Sequence, residues 1–184
     1  SENLPLPETY NTAFNACKTS LNWLGSQLAK EKGIHFVWAR LFFVYGSGQK
    51  SASLIPTIIN SIKSGKILGL KDPSAKNDFI YVDDVAEALY SLVLHPVSGA
   101  YNIGSGYSTK VSEIVNRVYE NFNEKCLLNF SDNLLTDNTV NFWADISKIS
   151  QATGWKPKTL ISDGIKKMCV NYDKDECFQI DGGI

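Results

Sequence analysis

Apolar residues along this chain alternate between helical spacing and short, nearly unbroken runs. Leu21, Leu24 and Leu28 recur at helical spacing, which predicts a helix over 12–32 that stops at Gly33. The next run, Ile34-His35-Phe36-Val37-Trp38-Ala39-Arg40-Leu41-Phe42-Phe43-Val44, predicts one parallel strand covered on both faces. After the turn Tyr45-Gly46-Ser47-Gly48-Gln49, residues Leu54, Ile55, Ile58, Ile59 and Ile62 mark one face of a helix ending before Gly65. A short strand is expected over 67–70, followed by a turn at Asp72-Pro73-Ser74.

The second part of the chain keeps the same rhythm. Residues 77–82 read as a strand that delivers an aspartate, Asp83 or Asp84, to cap the next helix, whose buried face is expected at Val85, Leu89, Leu92 and Val93. Strand and turn follow at Ala100-Tyr101-Asn102-Ile103-Gly104-Ser105-Gly106, then a helix carrying Val111, Ile114, Val115, Val118 and Phe122. A strand is expected over 126–130, a short helix from Asp145 to Gly154, and a last helix with Ile161, Ile165, Met168, Cys169 and Tyr172 on one face. Residues 173–184 are acidic, then Gly-rich, and read as a frayed tail. This alternation is that of an α/β fold.

Composition narrows the function classes. With 184 residues, 43% hydrophobic, 20% charged and a formal net charge of -1, the chain lacks the basic surface of a nucleic-acid binder and the profile of a disordered tail. No apolar run approaches the roughly 18 to 20 residues that span a bilayer, so no membrane role and a cytoplasmic location are expected. Cys17, Cys126, Cys169 and Cys177 form no Cys-x-x-Cys pair and no zinc spacing with His35 or His95; free thiols and no metal are expected. His35, inside the apolar run, and His95, at a helix end, read as structural.

Phe14-Asn15-Ala16-Cys17-Lys18 places Phe14 and Lys18 one helical turn apart on one face. With tyrosine at position 14 it would be a Tyr-x-x-x-Lys pair, in which a nearby ammonium favours the phenolate and lets it exchange a proton with a sugar hydroxyl. Phenylalanine cannot do so. Alone the pattern is short and recurs by chance; a Phe in it is far more often core than a changed catalytic residue, and Lys18 also reads as a solvated helix residue.

Five further segments occur in the right order. Glu2-Asn3-Leu4-Pro5, Arg40-Leu41-Phe42-Phe43-Val44-Tyr45-Gly46, the stretch from Asn77 through Asp84-Val85-Ala86, Tyr101-Asn102-Ile103-Gly104-Ser105-Gly106 and Gly154-Trp155-Lys156-Pro157 accompany the Phe14 to Lys18 pair. Together they make the chain resemble the C-terminal half of the extended short-chain dehydrogenase/reductases, the NAD-dependent epimerase/dehydratase family that modifies nucleotide-linked sugars. The resemblance implies the C-terminal part of a Rossmann-type doubly wound sheet plus a smaller mixed α/β substrate domain. It places residues 1–50 in the dinucleotide-binding part, 51–172 mostly in the substrate part with 77–95 returning to the Rossmann part, and 173–184 in a tail.

The same resemblance assigns roles. Phe14 stands at the catalytic tyrosine position and Lys18 at the lysine that holds the nicotinamide ribose; Leu41 and Phe42 would approach the cofactor, although Phe42 also reads as core. Phe43 stands where an asparagine usually contacts the sugar nucleotide, and Asn77 and Thr136 where arginines usually meet the phosphates. The family's Gly-x-x-Gly-x-x-Gly turn does not occur, and Gly104-Ser105-Gly106 is by position an ordinary turn. NAD or NADP is therefore expected in the intact family fold, and no cofactor on this chain alone. A missing N-terminal half, a homodimer and a chain inactive by itself are expected; a family member without catalysis, acting as a binding or assembly module, is the alternative.

Overall fold

The computed structural model of the chain describes residues 12–66, 69–70, 72–124 and 142–175. Glu2 to Pro5, Thr136, the strand expected over 126–130 and the expected tail beyond residue 175 lie outside those residues, as do Cys126 and Cys177; the first three residues of that tail, 173–175, instead continue the last helix.

Helix α1, Ala13–Lys32, begins where the Thr12 hydroxyl accepts the Asn15 N–H at 3.2 Å and ends at Gly33, left-handed at φ 65°. Both ends fall where the sequence puts them. Its leucines do not enter a core: Leu21, Leu24 and Leu28 are each more than half exposed, and Ala29 is its buried residue. Gly25 lets α1 approach the Phe36 ring, which a Cβ there would meet at 2.6 Å.

The run expected as a single strand over 34–44 is divided. Strand β1, Val37–Leu41, pairs in parallel with a later strand, and β2, Phe43–Tyr45, pairs with another; Phe42 is the step between them. The run is also half-buried rather than covered on both faces, and β1 has a ladder partner on one edge among the described residues. His35 lies outside the strand, exposed, with Nδ1 at 3.2 Å from the Ser98 hydroxyl.

Helix α2, Leu54–Ser64, buries Ile55, Ile58 and Ile59 and closes at Gly65, as its spacing predicts. Residues 69–70 form no strand, against the expectation for 67–70. The stretch from Asn77 forms two short strands, β3 (Lys76–Asn77) and β4 (Phe79–Tyr81), broken at Asp78. Helix α3, Val82–Leu94, buries Asp84, Val85, Ala88 and Leu92, whereas Leu89 is 40% and Val93 81% exposed. The face predicted for α3 is therefore corrected: it turns toward Ala88, which packs close against the sheet.

Strand β5, Gly99–Ile103, lies beside β1 in register, with Arg40 opposite Asn102. Strand β6, Thr109–Lys110, runs antiparallel to β3, and β4 runs parallel to β2. Helices α4 (Val111–Asn121), α5 (Ser147–Thr153) and α6 (Ile161–Asp175) complete the described elements. One apolar cluster joins α2, α4 and α6 to Tyr45, Phe79 and Tyr81; another joins α3, β5 and α5 through Ile80, Ile103, Ile149 and Trp155.

Candidate functional site

Phe14 and Lys18 share one face of α1, with the Lys18 ammonium 5.5 Å from the centre of the Phe14 ring. Phe14 is 69% exposed, so the pair stands open, and its cation–π attraction is worth about 0.5–1 kcal/mol. The ring is no part of a core. It has no atom that can carry a proton.

Leu41, Phe42 and Phe43 come together around a cavity of about 420 Å³, and Phe142 forms its other wall. The Phe142 ring lies 6.0 Å from both the Phe42 and Phe43 rings, and Phe43 lies 5.7 Å from Phe79, distances at which tilted aromatic pairs attract. Neither Phe14 nor Lys18 lines this cavity. Asn77 is half-buried in β3 opposite Thr109, apart from the aromatic group. Phe142 was not among the sequence-derived residues; the signal for it is the aromatic pair Phe142-Trp143 ahead of a polar, helix-starting stretch.

The turn at 104–106 does form an anion cradle, and Asp78 fills it. Asp78 is fully buried, and its carboxylate accepts the Ser105 N–H (2.6 Å), the Ser105 hydroxyl (2.7 Å), the Gly106 N–H (2.9 Å) and the Ala144 N–H (3.0 Å). Gly104 is required by this packing, since a Cβ there would lie 2.5 Å from the Ala144 Cβ and 2.7 Å from Asp78 Oδ2.

The aspartate pair at the start of α3 is not a cap of that helix. The N-cap position is Tyr81, without a side-chain bond, and the buried Asp84 instead accepts the backbone N–H groups of Lys158 (3.1 Å) and Thr159 (3.0 Å). Asp83 is exposed, with the Lys167 ammonium 4.0 Å away. Lys158 also pairs with Glu87 at 2.7 Å, which raises its pKa. These contacts anchor the segment that leads into α6. Asp145 does serve the start of α5, accepting the Ser147 N–H at 3.0 Å and its hydroxyl at 2.6 Å; these bonds lower its pKa.

Other titratable groups read as structural. His95 ends α3 with Nδ1 at 2.7 Å from the Ser91 carbonyl oxygen. Burial, followed by the charge of Asp84, pushes the Tyr45 phenol well above its ordinary pKa. Cys17 is exposed and Cys169 half-buried, both as free thiols. Among the described residues, no group of three or more His, Cys, Asp or Glu side chains converges to hold a metal, and no helix is long and apolar enough to cross a membrane.

Comparison with known proteins places this geometry. The sequence model described as the NAD dependent epimerase/dehydratase family matches residues 1–104. The chain is similar to dTDP-4-dehydro-6-deoxyglucose reductase of Escherichia coli, 29% identical over 148 residues, covering 77% of the chain and 46% of the reductase. It spans about half, or less, of the length of the curated relatives it matches. Its fold is similar to dTDP-glucose 4,6-dehydratase from Bacillus anthracis in complex with NAD, with a TM-score of 0.80, 23% identity, and 97% of this chain and 57% of that one covered. It is also similar to a tyrosine-to-phenylalanine mutant of UDP-glucuronic acid 4-epimerase from Bacillus cereus, with a TM-score of 0.79, 24% identity, and 95% of this chain and 56% of that one covered. That mutant is in complex with NAD and UDP-4-deoxy-4-fluoro-glucuronic acid.

Proposed function

The chain belongs to the NAD-dependent epimerase/dehydratase family, and on that premise we propose that it is the C-terminal portion of an NAD(P)-dependent nucleotide-sugar epimerase, dehydratase or reductase whose proton-relay position is vacant. The observation that carries this reading is the exposed Phe14 one turn from Lys18 on α1. The ammonium stands ready to donate to ribose hydroxyls and to stabilise a neighbouring phenolate, while the ring beside it can neither take nor give a proton. Residues 1–50 would belong to the dinucleotide-binding part and 51–172 mostly to the substrate part, with 77–95 returning to the former.

In such an enzyme the nicotinamide supplies the hydride chemistry when bound. The residues described here do not fit its pyrophosphate at the 104–106 turn, because the Asp78 carboxylate already takes the N–H groups of Ser105 and Gly106. That removes the 104–106 turn as a phosphate site; in this reading the pyrophosphate cradle would come from a Gly-rich turn outside this sequence. What remains to this chain is orientation. Lys18 would hold the ribose, and Leu41 and Phe42 would exclude water beside the ring.

With phenylalanine at position 14, removal of a sugar hydroxyl proton loses its acceptor, so an intact protein would bind and turn over slowly. The Bacillus cereus mutant holds a UDP-sugar and NAD with a phenylalanine in place of a tyrosine, which supports binding without that phenol. Phe43, Asn77 and Thr136 at polar substrate positions weaken affinity further: two charge-assisted contacts are worth roughly 3 kcal/mol or more together. A homodimer through α1 completes the reading, with the exposed Leu21, Leu24 and Leu28 and with Trp23 at its surface.

A second reading, a non-catalytic binding or assembly module, is favoured by the aromatic cluster itself. Phe43, though 46% exposed, contacts the rings of Phe79 and Phe142, and Phe142 contacts Phe42, which suits a rebuilt site better than one exchanged side chain. Calorimetry on the full-length protein separates the two. Binding of both NAD and a UDP-sugar supports the enzyme reading, and binding of neither supports the module.

A further inference from the structure

The β1–β5 pair has two outer edges, and the chain guards one of them. On β5 the Lys148 ammonium, from α5, bonds the carbonyl oxygen of Ala100. A lysine seated on an edge carbonyl blocks further strand pairing. No such block stands on β1. The Gly99 N–H bonds the Phe36 carbonyl oxygen at 2.8 Å and the Phe42 N–H bonds the Ile103 carbonyl oxygen at 3.1 Å, so the even-numbered residues of this run face β5. The N–H and C=O groups of Val37, Ala39 and Leu41 therefore point to the other edge, where no strand pairs with them among the described residues. Beside them an open cavity of about 650 Å³ is lined by His35, Val37, Ala39, Leu89 and Val93, with Val93 81% exposed.

This edge is complementary to itself. A two-fold axis at Ala39, normal to the sheet, sets two β1 strands antiparallel, with Ala39 opposite Ala39 and Val37 opposite Leu41. Every outward N–H then meets an outward C=O, because the residues that face the edge are spaced evenly about the axis. On the opposite face of the strand, Arg40 falls across from Trp38 of the second copy rather than from its own counterpart. Arg40 is the charged residue of Val37–Leu41, so the pairing opposes no like charges and sets a guanidinium beside an indole on each side of the axis.

From this self-complementary edge we propose that β1 is an association surface for a second copy of this chain, the two strands pairing antiparallel about Ala39 into one continuous sheet, β5–β1–β1–β5. Lys148 guards both outer edges of that sheet, so the pairing stops at two copies. The surface is distinct from the exposed leucines of α1. It goes beyond the nucleotide-sugar reading and does not depend on it. Any further segment that took the same edge of β1 would exclude the second copy.

The test is sedimentation equilibrium on the 184-residue chain carrying Leu24→Glu, which puts a charge into the exposed face of α1, with circular dichroism checking the fold of each variant. A dimer is expected in that background. Ala39→Pro removes the central outward N–H and no bond to β5, and is expected to leave a monomer. Trp38→Lys sets an ammonium opposite Arg40 twice in the dimer, and is expected to raise the dissociation constant about ten-fold or more. Trp38→Glu, which costs the same indole but offers Arg40 a carboxylate, is expected to stay within about three-fold of the parent. A monomer in the Leu24→Glu background overturns the proposal. So does a dimer that a folded Ala39→Pro variant keeps, or one that Trp38→Lys and Trp38→Glu weaken equally.

Discussion

The Asp78 carboxylate and Ser105 bond twice, through the Ser105 N–H at 2.6 Å and its hydroxyl at 2.7 Å, across 27 positions of sequence. With Gly106 and Ala144 completing the set, this buried carboxylate ties the break between β3 and β4 to the turn after β5 and to the segment before α5. Each N–H it serves would be stranded without it, at about 1–3 kcal/mol apiece.

Asp78→Ala should therefore destabilise the protein by about 3 kcal/mol or more. Gly104→Ala, which forces a Cβ toward both Ala144 and Asp78, should weaken the same junction. Urea midpoints measure both. A shift of Asp78→Ala smaller than that of an ordinary surface substitution would show that the cradle does not hold the fold.

Much of this framework was legible in the sequence, and the rest was not, for physical reasons. The limits of α1 and α2 follow from local chemistry: the Thr12 cap and the left-handed glycines Gly33 and Gly65 act within one turn of themselves. The division at Phe42 depends on which distant strand each residue meets, Ile103 on one side and Asp78 on the other, and periodicity carries no such information. The same limit explains Leu89 and Val93, which keep helical spacing yet face outward, and Asp84, whose partners lie 74 and 75 positions away. The Phe14 and Lys18 pair was legible because i and i+4 meet on any helix. Phe142 was not, because its neighbours at the site come from β1, β2 and the residue between them.

Alkaline pH should erode stability through Cys169. Burial pushes this thiol from 9.0 up to about 11, so the folded state holds its proton where the unfolded state releases it. Its contribution is complete below the unfolded value and is lost as pH rises from about 9 to 11. Cys169→Ala should flatten that part of the stability profile, measured by thermal melts in buffers spanning pH 9.0 to about 11. A slope as steep as that of the parent would assign the loss to other groups.

Exposed apolar surface on α1 predicts association. Leu21, Leu24 and Leu28 are 58%, 55% and 54% exposed, and Trp23 62%, while β1 offers an unpaired edge among the described residues. The 184-residue chain by itself should associate or aggregate, and the full-length protein should be a homodimer. Light scattering that finds the isolated chain monomeric at high concentration would mean that it closes its own core.

Cofactor affinity gives a sharper limit. With the 104–106 turn filled by Asp78, the chain alone should bind NAD no better than about millimolar, since the Gly-rich turn that cradles the pyrophosphate is lacking. Micromolar binding by calorimetry would require a phosphate site that the described residues do not provide.

The proposed function puts Phe14 in the position of a proton-transferring phenol beside Lys18. Its most direct measurement is the turnover of a nucleotide sugar by the full-length protein and by its Phe14→Tyr variant, with NAD and sugar binding verified in both. The variant should turn over faster by about two to four orders of magnitude; unchanged turnover in a variant that binds both ligands would contradict a proton-relay role for position 14.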